Sequence, residues 1–449
     1  MDSDNDTIYA TATLADAGGI CIVRISGPRA GEVLQTVFDR PVCDQPRRLT
    51  YGRVKDKGRV LDECMAVYLP GPRTYTREDV AELHLHASPA GVAGVLSLLA
   101  SMGLRLATPG EFTRRAFLNG RIDLSGAEAV MEFISAQTRA GAQAALSRMQ
   151  GSLGRKIERW SARLTDLLAD IALCVDYPEH DEEEATLAGV CAETQALIAE
   201  TDELIDAAKG GIIVASGLKV TICGRPNVGK STLFNAMIGQ DRAIVTSDPG
   251  TTRDAITERI EAGGVLLILT DTAGIREAEA EAERLGVERA LRAQEEADLL
   301  LVVVTPECTQ EDSALIERTR GRTRLIAVNK CDVFPPDPAA LGADAHDAVA
   351  VSAKTGQGVD ELKRALVERV LGEGFAPPPV TVANHRQKDA LVRARAALQA
   401  ALDAAIAGVP LDLIAVDLTE AAHALGEITG RTVDADVIER VFERFCIGK

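Results

Sequence analysis

The sequence predicts a multidomain protein combining an α+β amino-terminal domain, an all-α domain, and an α/β domain inserted into the helical one. Three observations carry this expectation. Strand and helix patterns mix over the first ~120 residues, and apolar residues recur every three or four positions on both flanks of the centre. Strands alternate with helices from Leu218 to about Leu371, as in a parallel sheet. At 449 residues the chain has room for roughly three domains of about 150 residues each.

The elements follow in order. Gly19 to Ile25 reads as a strand, and a period of two puts Arg24 on the face of Ile20 and Ile22. Val80 to His86 reads as another, with Ala81, Leu83 and Leu85 facing one way and Glu82, His84 and His86 the other, a polar face suited to lining a site. Thr108-Pro109-Gly110-Glu111 opens a helix with Thr108 as cap, Pro109 in the first turn and Glu111 closing a capping box; Gly120 ends it. From Leu124 the pattern is helical, with Ser125 and Glu128 as a second capping box. Leu146, Met149, Leu153, Ile157, Trp160, Leu164, Leu167 and Ile171 share one face of a long helix or a helix pair. The acidic run Asp176 to Glu184 reads as a solvated loop, with a metal or partner site as the alternative, and a second helical pattern covers Leu187 to Ala208. Phe375-Ala376-Pro377-Pro378-Pro379 is a natural linker, and helices resume from His385 to Phe445. The expected domains are 1–121, a discontinuous helical domain of 122–212 and 380–449, and the inserted domain 216–375.

Composition excludes several classes. Charged residues make up 26% and hydrophobic residues 46%, an ordinary globular mixture. The acidic start Met1-Asp2-Ser3-Asp4 lacks the positive charge of a targeting peptide, and no apolar run reaches the ~18 residues of a membrane span, so a cytoplasmic protein with no membrane partner is expected. Nine cysteines without a CxxC pair suggest reduced thiols, with neither a disulfide framework nor a zinc site. A net charge of −18 argues against a general nucleic-acid coat, so any RNA contact must be local or shared with a partner.

The chemistry concentrates in the middle third. Gly224-Arg225-Pro226-Asn227-Val228-Gly229-Lys230-Ser231-Thr232 follows the strand Leu218 to Cys223 and precedes a helix carrying Leu233, Phe234, Met237 and Ile238. That is the context of a phosphate-binding P-loop: glycines let backbone N–H groups turn to phosphate oxygens, Lys230 supplies charge to the β and γ groups, and the Ser231 hydroxyl can ligate magnesium. Gly250-Thr251-Thr252-Arg253-Asp254 is a switch loop, with Thr252 as a magnesium ligand while the γ-phosphate is present. Asp271-Thr272-Ala273-Gly274 ends the strand beginning at Val265, placing Asp271 near the metal and the Gly274 N–H near the γ-phosphate. Asn329-Lys330-Cys331-Asp332 ends the strand Arg324 to Val328; the Asp332 carboxylate can accept both hydrogens from guanine N1 and N2, which adenine does not offer. Ser352-Ala353-Lys354 would close the base pocket with a backbone N–H to guanine O6. These clusters, in this order, define a Ras-like P-loop GTPase domain. One departure matters: where Ras-like proteins carry a water-orienting glutamine, this chain has Ile275, so another residue must position the water, with Glu277, Glu279, Glu281 and Glu283 as candidates.

The chain resembles the MnmE (TrmE) family of tRNA-modification GTPases over residues 5 to 449. The resemblance rests on Asp6-Thr7-Ile8-Tyr9-Ala10, Val23-Arg24-Ile25-Ser26-Gly27, the run from Pro109 to Gly120, Leu425-Gly426-Glu427-Ile428-Thr429-Gly430 and Phe445-Cys446-Ile447-Gly448-Lys449. It implies a homodimer that acts on the wobble uridine of tRNA with an FAD-dependent partner, MnmG (GidA), in a heterotetramer. It implies 5-formyltetrahydrofolate bound by residues matching Arg24, Glu82, Arg121 and Lys449, with Arg121 standing where the family usually has lysine. His84-Leu85-His86-Ala87-Ser88-Pro89 departs from the glycine pair the family usually shows. The resemblance further implies a potassium ion beside the phosphates, held by Asn227, Thr246, Asp248 and Thr251 within a loop that includes Ser247, Pro249 and Gly250. It matches the water-orienting glutamate to Glu283, so Glu283, Lys230 and Thr252 are the expected catalytic residues. Cys446 reads either as a small buried apolar side chain or as a catalytic thiolate near Lys449 and the folate.

The expected function is a potassium-stimulated GTP hydrolase, using magnesium, that helps install a carboxymethylaminomethyl or aminomethyl group at carbon 5 of the wobble uridine. The alternatives are a ribosome-assembly or other regulatory GTPase without modification chemistry, and a folate-binding module with a vestigial GTPase.

Overall fold

The computed structural model describes residues 6–13, 18–177, 183–239, 257–271, 292–335, 341–376 and 381–448. They form two compact units, one of residues 1–131, 149–165 and 422–449, the other of 132–148 and 166–421. No helix among the described residues is long and apolar enough to cross a membrane.

The first unit is built on a six-stranded sheet of order β3-β4-β5-β2-β1-β6. Its strands are β1 (Ile8–Thr11), β2 (Ile20–Ser26), β3 (Thr50–Asp56), β4 (Arg59–Leu69), β5 (Val80–His86) and β6 (Arg105–Leu106). Only β1 and β6 pair in parallel. Ala81, Leu83 and Leu85 of β5 are buried, and with Cys21, Val23 and Ile25 of β2 they pack on helices α1 (Ala30–Val37) and α2 (Pro89–Ser101). Ser88 caps α2, its hydroxyl accepting the Gly91 N–H at 3.3 Å with Pro89 in the first turn. That gives a local reason for Ser88 directly before Pro89, where the resemblance leads one to expect a glycine pair ahead of the proline.

Two expected caps differ. Helix α3 runs Glu111–Leu118 behind Gly110, which sits in the left-handed region at φ 70° and makes no side-chain cap. Glu111 still reaches back, accepting the Thr108 N–H at 2.8 Å, but from the first helical residue. Helix α4 (Leu124–Ser135) is capped by Asp123, which accepts the Gly126 N–H and the Ser125 hydroxyl, each at 2.7 Å. Aspartate at that position outcompetes the expected Ser125–Glu128 box because its carboxylate already satisfies the free first-turn N–H. The apolar face from Leu146 to Ile171 belongs to a helix pair, α5 (Arg139–Met149) and α6 (Ser152–Asp176), broken at Gly151 with φ 79°. In this unit Phe442 and Phe445, with ring centroids 5.2 Å apart, pack on Leu124, Ala127 and Val130.

The second unit holds helix α7 (Glu183–Ser216), longer than expected at both ends, and the sheet β12-β11-β10-β7-β9-β8. Its strands are β7 (Leu218–Cys223), β8 (Thr257–Ala262), β9 (Val265–Asp271), β10 (Leu299–Val304), β11 (Arg324–Val328) and β12 (Ala348–Ala350). All neighbours are parallel except β8 and β9. Strand β10 is apolar throughout because both faces are covered: Leu299, Leu301 and Val303 join a core with α8 (Lys230–Ile238), while Leu300, Val302 and Val304 join one with Ile316 of α9 (Gln310–Arg318). Helix α10 (Val359–Leu371) completes the first of these cores. Helix α11 (His385–Ile406) packs on α7, with Arg395 Nε 3.0 Å from Asp202 Oδ1. Helices α12 (Leu411–Thr429) and α13 (Ala435–Phe442) end the chain.

Candidate functional site

Strand β7 lies between β10 and β9, so connections leave it in opposite directions, and the loop that follows opens at the carboxyl ends of the parallel strands. Ligands of open α/β sheets bind at such a switch point. That loop is 224–229. Asn227 takes φ 64° and Gly229 φ 94°, turning the chain onto the amino terminus of α8. Glycine is required at 229 twice over, since a Cβ there would also lie 2.4 Å from Asn329 Nδ2.

Those predicted residues of the nucleotide site that the structure describes meet at this end of the sheet. Lys230 is buried and its ammonium donates to the Arg225 carbonyl at 2.9 Å. Ser231 Oγ donates to Asp271 Oδ2 at 2.9 Å, bringing together two hard oxygen donors of the kind magnesium takes. Asn329 ties two clusters, its amide donating to the Val228 carbonyl at 2.9 Å and its carbonyl accepting the Ala353 N–H at 3.0 Å. Lys330 Nζ donates to the Asn227 carbonyl at 2.9 Å. Ser352, fully buried, donates to Asp332 Oδ1 at 2.7 Å and accepts the Thr355 N–H at 3.2 Å. The Ala353 N–H is thus committed inside the protein. Thr232, on α8, is exposed. Thr246, Ser247, Asp248, Pro249, Gly250, Thr251, Thr252, Thr272, Ala273, Gly274, Glu283 and Lys449 lie outside the described residues.

Sequence reasoning missed a clamp beneath the loop. Arg225 Nε donates to buried Asp312 at 3.0 Å, and its Nη2 to Thr305 Oγ1 at 2.9 Å. Asp312 also closes a capping box with Thr309 at the start of α9. Thr309 followed three residues later by Asp312 was the available signal. Burial also pushes the Cys223 thiol up to about 11, so the cysteine under the loop stays protonated at neutral pH.

In the first unit Arg24 and Glu82 stand directly opposite each other across β2 and β5, with Arg24 Nε 2.9 Å from Glu82 Oε1. The Arg24 guanidinium lies 5.9 Å from the Tyr75 ring centroid and 5.7 Å from that of Phe112; the Arg121 guanidinium lies 4.6 Å from Tyr75. Tyr75 joins three predicted residues into one cluster and was missed, because a lone tyrosine in a loop has no periodicity. His84 adds a contact to Glu82 Oε2 at 3.3 Å. Cys446 is exposed, which contradicts its reading as a buried apolar side chain; Phe445 beside it fills the core instead. All nine cysteines are free.

Loop, buried lysine, the Ser231–Asp271 pair and the Asn329 ties between clusters give the second unit the features of the nucleotide-binding body of a P-loop GTPase. Residues 7–121 match the family described as GTP-binding protein TrmE N-terminus, and residues 124–446 match the MnmE helical domain. The chain is 43% identical over 455 residues to the tRNA modification GTPase MnmE of Synechococcus sp. (strain JA-2-3B'a(2-13)), covering 100% of this chain and 98% of the relative. It is 41% identical over 458 residues to that of Alkaliphilus oremlandii (strain OhILAs), covering 99% of each. Among solved structures it is similar to the G domain of the T. maritima FeoB iron transporter, with 28% identity over 34% of this chain and 98% of that one, at a TM-score of 0.27. The chain belongs to the MnmE (TrmE) family and is a GTPase that takes part in tRNA modification.

Proposed function

We propose that this GTPase acts in the cytoplasm as a homodimer, with the FAD-dependent partner MnmG (GidA) in a heterotetramer, to build the carboxymethylaminomethyl or aminomethyl group on carbon 5 of the tRNA wobble uridine. The observation that carries this reading is the presence, in one chain, of a P-loop with its Ser231–Asp271 and Ser352–Asp332 pairs and of a second cation–carboxylate–aromatic cluster at Arg24, Glu82 and Tyr75. A regulatory switch has no use for the second. We assign 1–121 to folate binding and dimerisation, 216–375 to GTP, and 122–212 with 380–449 to the helical domain.

In the nucleotide domain, Lys230 neutralises phosphate charge, Ser231 and Thr252 ligate magnesium with Asp271 beside them, and Asp332 reads guanine. Glu283 orients the attacking water in place of the glutamine that Ile275 does not supply. Asn227 with Thr246, Asp248 and Thr251 would hold potassium, whose charge would offset that developing on the phosphates in the transition state. GTP hydrolysis should therefore run faster in potassium than in sodium salts, and Asn227→Ala should remove the difference. Equal rates for the unsubstituted protein would rule the monovalent site out.

Arg24, Glu82, Arg121 and Lys449 suit 5-formyltetrahydrofolate, because a carboxylate can accept the pterin's N–H groups while cations meet its polar edge and carboxylates. Each Glu82 oxygen keeps acceptor capacity beyond its contact to Arg24 or His84. Cys446, exposed near this end of the chain, is assigned as its thiol nucleophile. Glu82→Ala should weaken calorimetric binding of the folate by about 1–3 kcal/mol while leaving GTP affinity intact. No binding to the unsubstituted protein would reduce the amino-terminal domain to a dimerisation scaffold.

A further inference from the structure

A cavity of about 460 Å³ in the first unit is lined by three arginines: Arg121 and Arg431 on the turns that follow α3 and α12, and Arg155 near the amino terminus of α6. Two carboxylates share the lining, and both are committed. Glu158 accepts from Arg431 at 2.9 Å. Asp123 caps α4 and presses its other oxygen against α6 at Gly154, where an added Cβ would lie 1.7 Å from it. Arg121 and Arg155 donate instead to neutral carbonyls, those of Tyr75 at 3.0 Å and of Gln150, and neither has a carboxylate partner among the described residues. Three guanidinium groups against two carboxylates leave the lining with an excess of positive charge, and neither Arg121 nor Arg155 is paired to either carboxylate, in a chain whose net charge is −18. The acidity of the whole requires any RNA contact to be local, and this is a local basic site.

We propose that the cavity seats a backbone phosphate of the substrate tRNA. Guanidinium groups converging from two turns and a helix suit the non-bridging oxygens of a phosphodiester. The volume, within the range of about 300–1,000 Å³ typical of ligand pockets, admits the adjoining ribose. Arg121 reaches both this cavity and the Tyr75 cluster, so RNA held here lies beside the site assigned to the one-carbon donor. The identity of the polyanion rests on the family's tRNA-modifying activity; the site itself rests on the arginines.

The test uses the full-length protein and a fluorescently labelled unmodified tRNA transcript, with anisotropy titrations at several salt concentrations. The R155Q/R431Q double variant should lose about 10-fold in affinity, and its plot of log K against log salt should be shallower by about 1–2. E158Q, which frees Arg431 and removes a negative charge, should bind tRNA more tightly, a gain that misfolding does not produce. Basal GTP hydrolysis should be unchanged in both variants. Unchanged affinity and slope in the double variant overturn the site. So does loss of folate affinity in place of RNA affinity, which would make the cavity a seat for the folate's carboxylates. Absence of tRNA binding by the unsubstituted protein also overturns it, whereas the modification activity is judged independently from wobble nucleosides in cells.

Discussion

Asp332 discriminates guanine from adenine only if its carboxylate is held edge-on to the base, and the buried Ser352 hydroxyl holds it at 2.7 Å. Asp332→Asn replaces one acceptor oxygen by a donor amide, so preference should move from GTP toward xanthosine triphosphate, whose second ring carbonyl needs that donor. Competition binding with the two triphosphates checks this, and full GTP affinity with no gain for the xanthine nucleotide would refute the assignment. Asp332 and Lys230 were legible from sequence because their chemistry is tied to short, fixed spacings. Arg225 was quoted there only as part of a motif; its partner Asp312 lies 87 residues away, and only the adjacency of β7 and β10 brings them together. Tyr75 was illegible for the same reason.

At the level of elements, the amino terminus of α3 is held by a charge network that knits it to β6 and to the chain entering β1. Glu111 accepts from Arg105 at 2.6 Å and Arg115 at 3.0 Å, and both arginines also bind Asp6. Burial alone would raise the Glu111 pKa, but Arg105, the Thr108 amide and Arg115 outweigh it and hold the carboxyl at about 2 against an ordinary 4.5. Since the folded value is the lower one, the stabilisation is complete above pH 4.5 and disappears as pH falls toward about 2. It amounts to on the order of 3 kcal/mol. Glu111→Gln should be less stable than the parent at pH 7 and lose less stability over that acid interval, as measured by denaturant unfolding at a series of pH values. Parallel acid limbs for the two proteins would show that Glu111 is not the titrating group. Sequence alone located this turn and Glu111's reach back to Thr108, yet placed the helix start too early, because a capping pattern does not reveal that the glutamate is engaged by arginines from other elements.

For the whole molecule, periodicity showed that the helices flanking the α/β domain have apolar faces but not what covers them. Phe442 and Phe445 at the end of the chain cover Leu124, Ala127 and Val130, so 149–165 and 422–448 belong with the amino-terminal sheet in one compact unit. The alternation of strands and helices, by contrast, was legible to the residue at β7 and β11, where largely buried strands end at the loop 224–229 and at Asn329-Lys330-Cys331-Asp332. The central claim is that the nucleotide site serves tRNA modification rather than timing some other assembly. Its most direct test is mass-spectrometric analysis of wobble nucleosides in tRNA from cells whose only copy of this protein carries Lys230→Ala, which removes the phosphate-binding ammonium without touching the amino-terminal unit. The account predicts that unmodified wobble uridine accumulates as it does in cells lacking the protein; normal levels of the modified nucleoside, with the variant present at wild-type abundance, would contradict it.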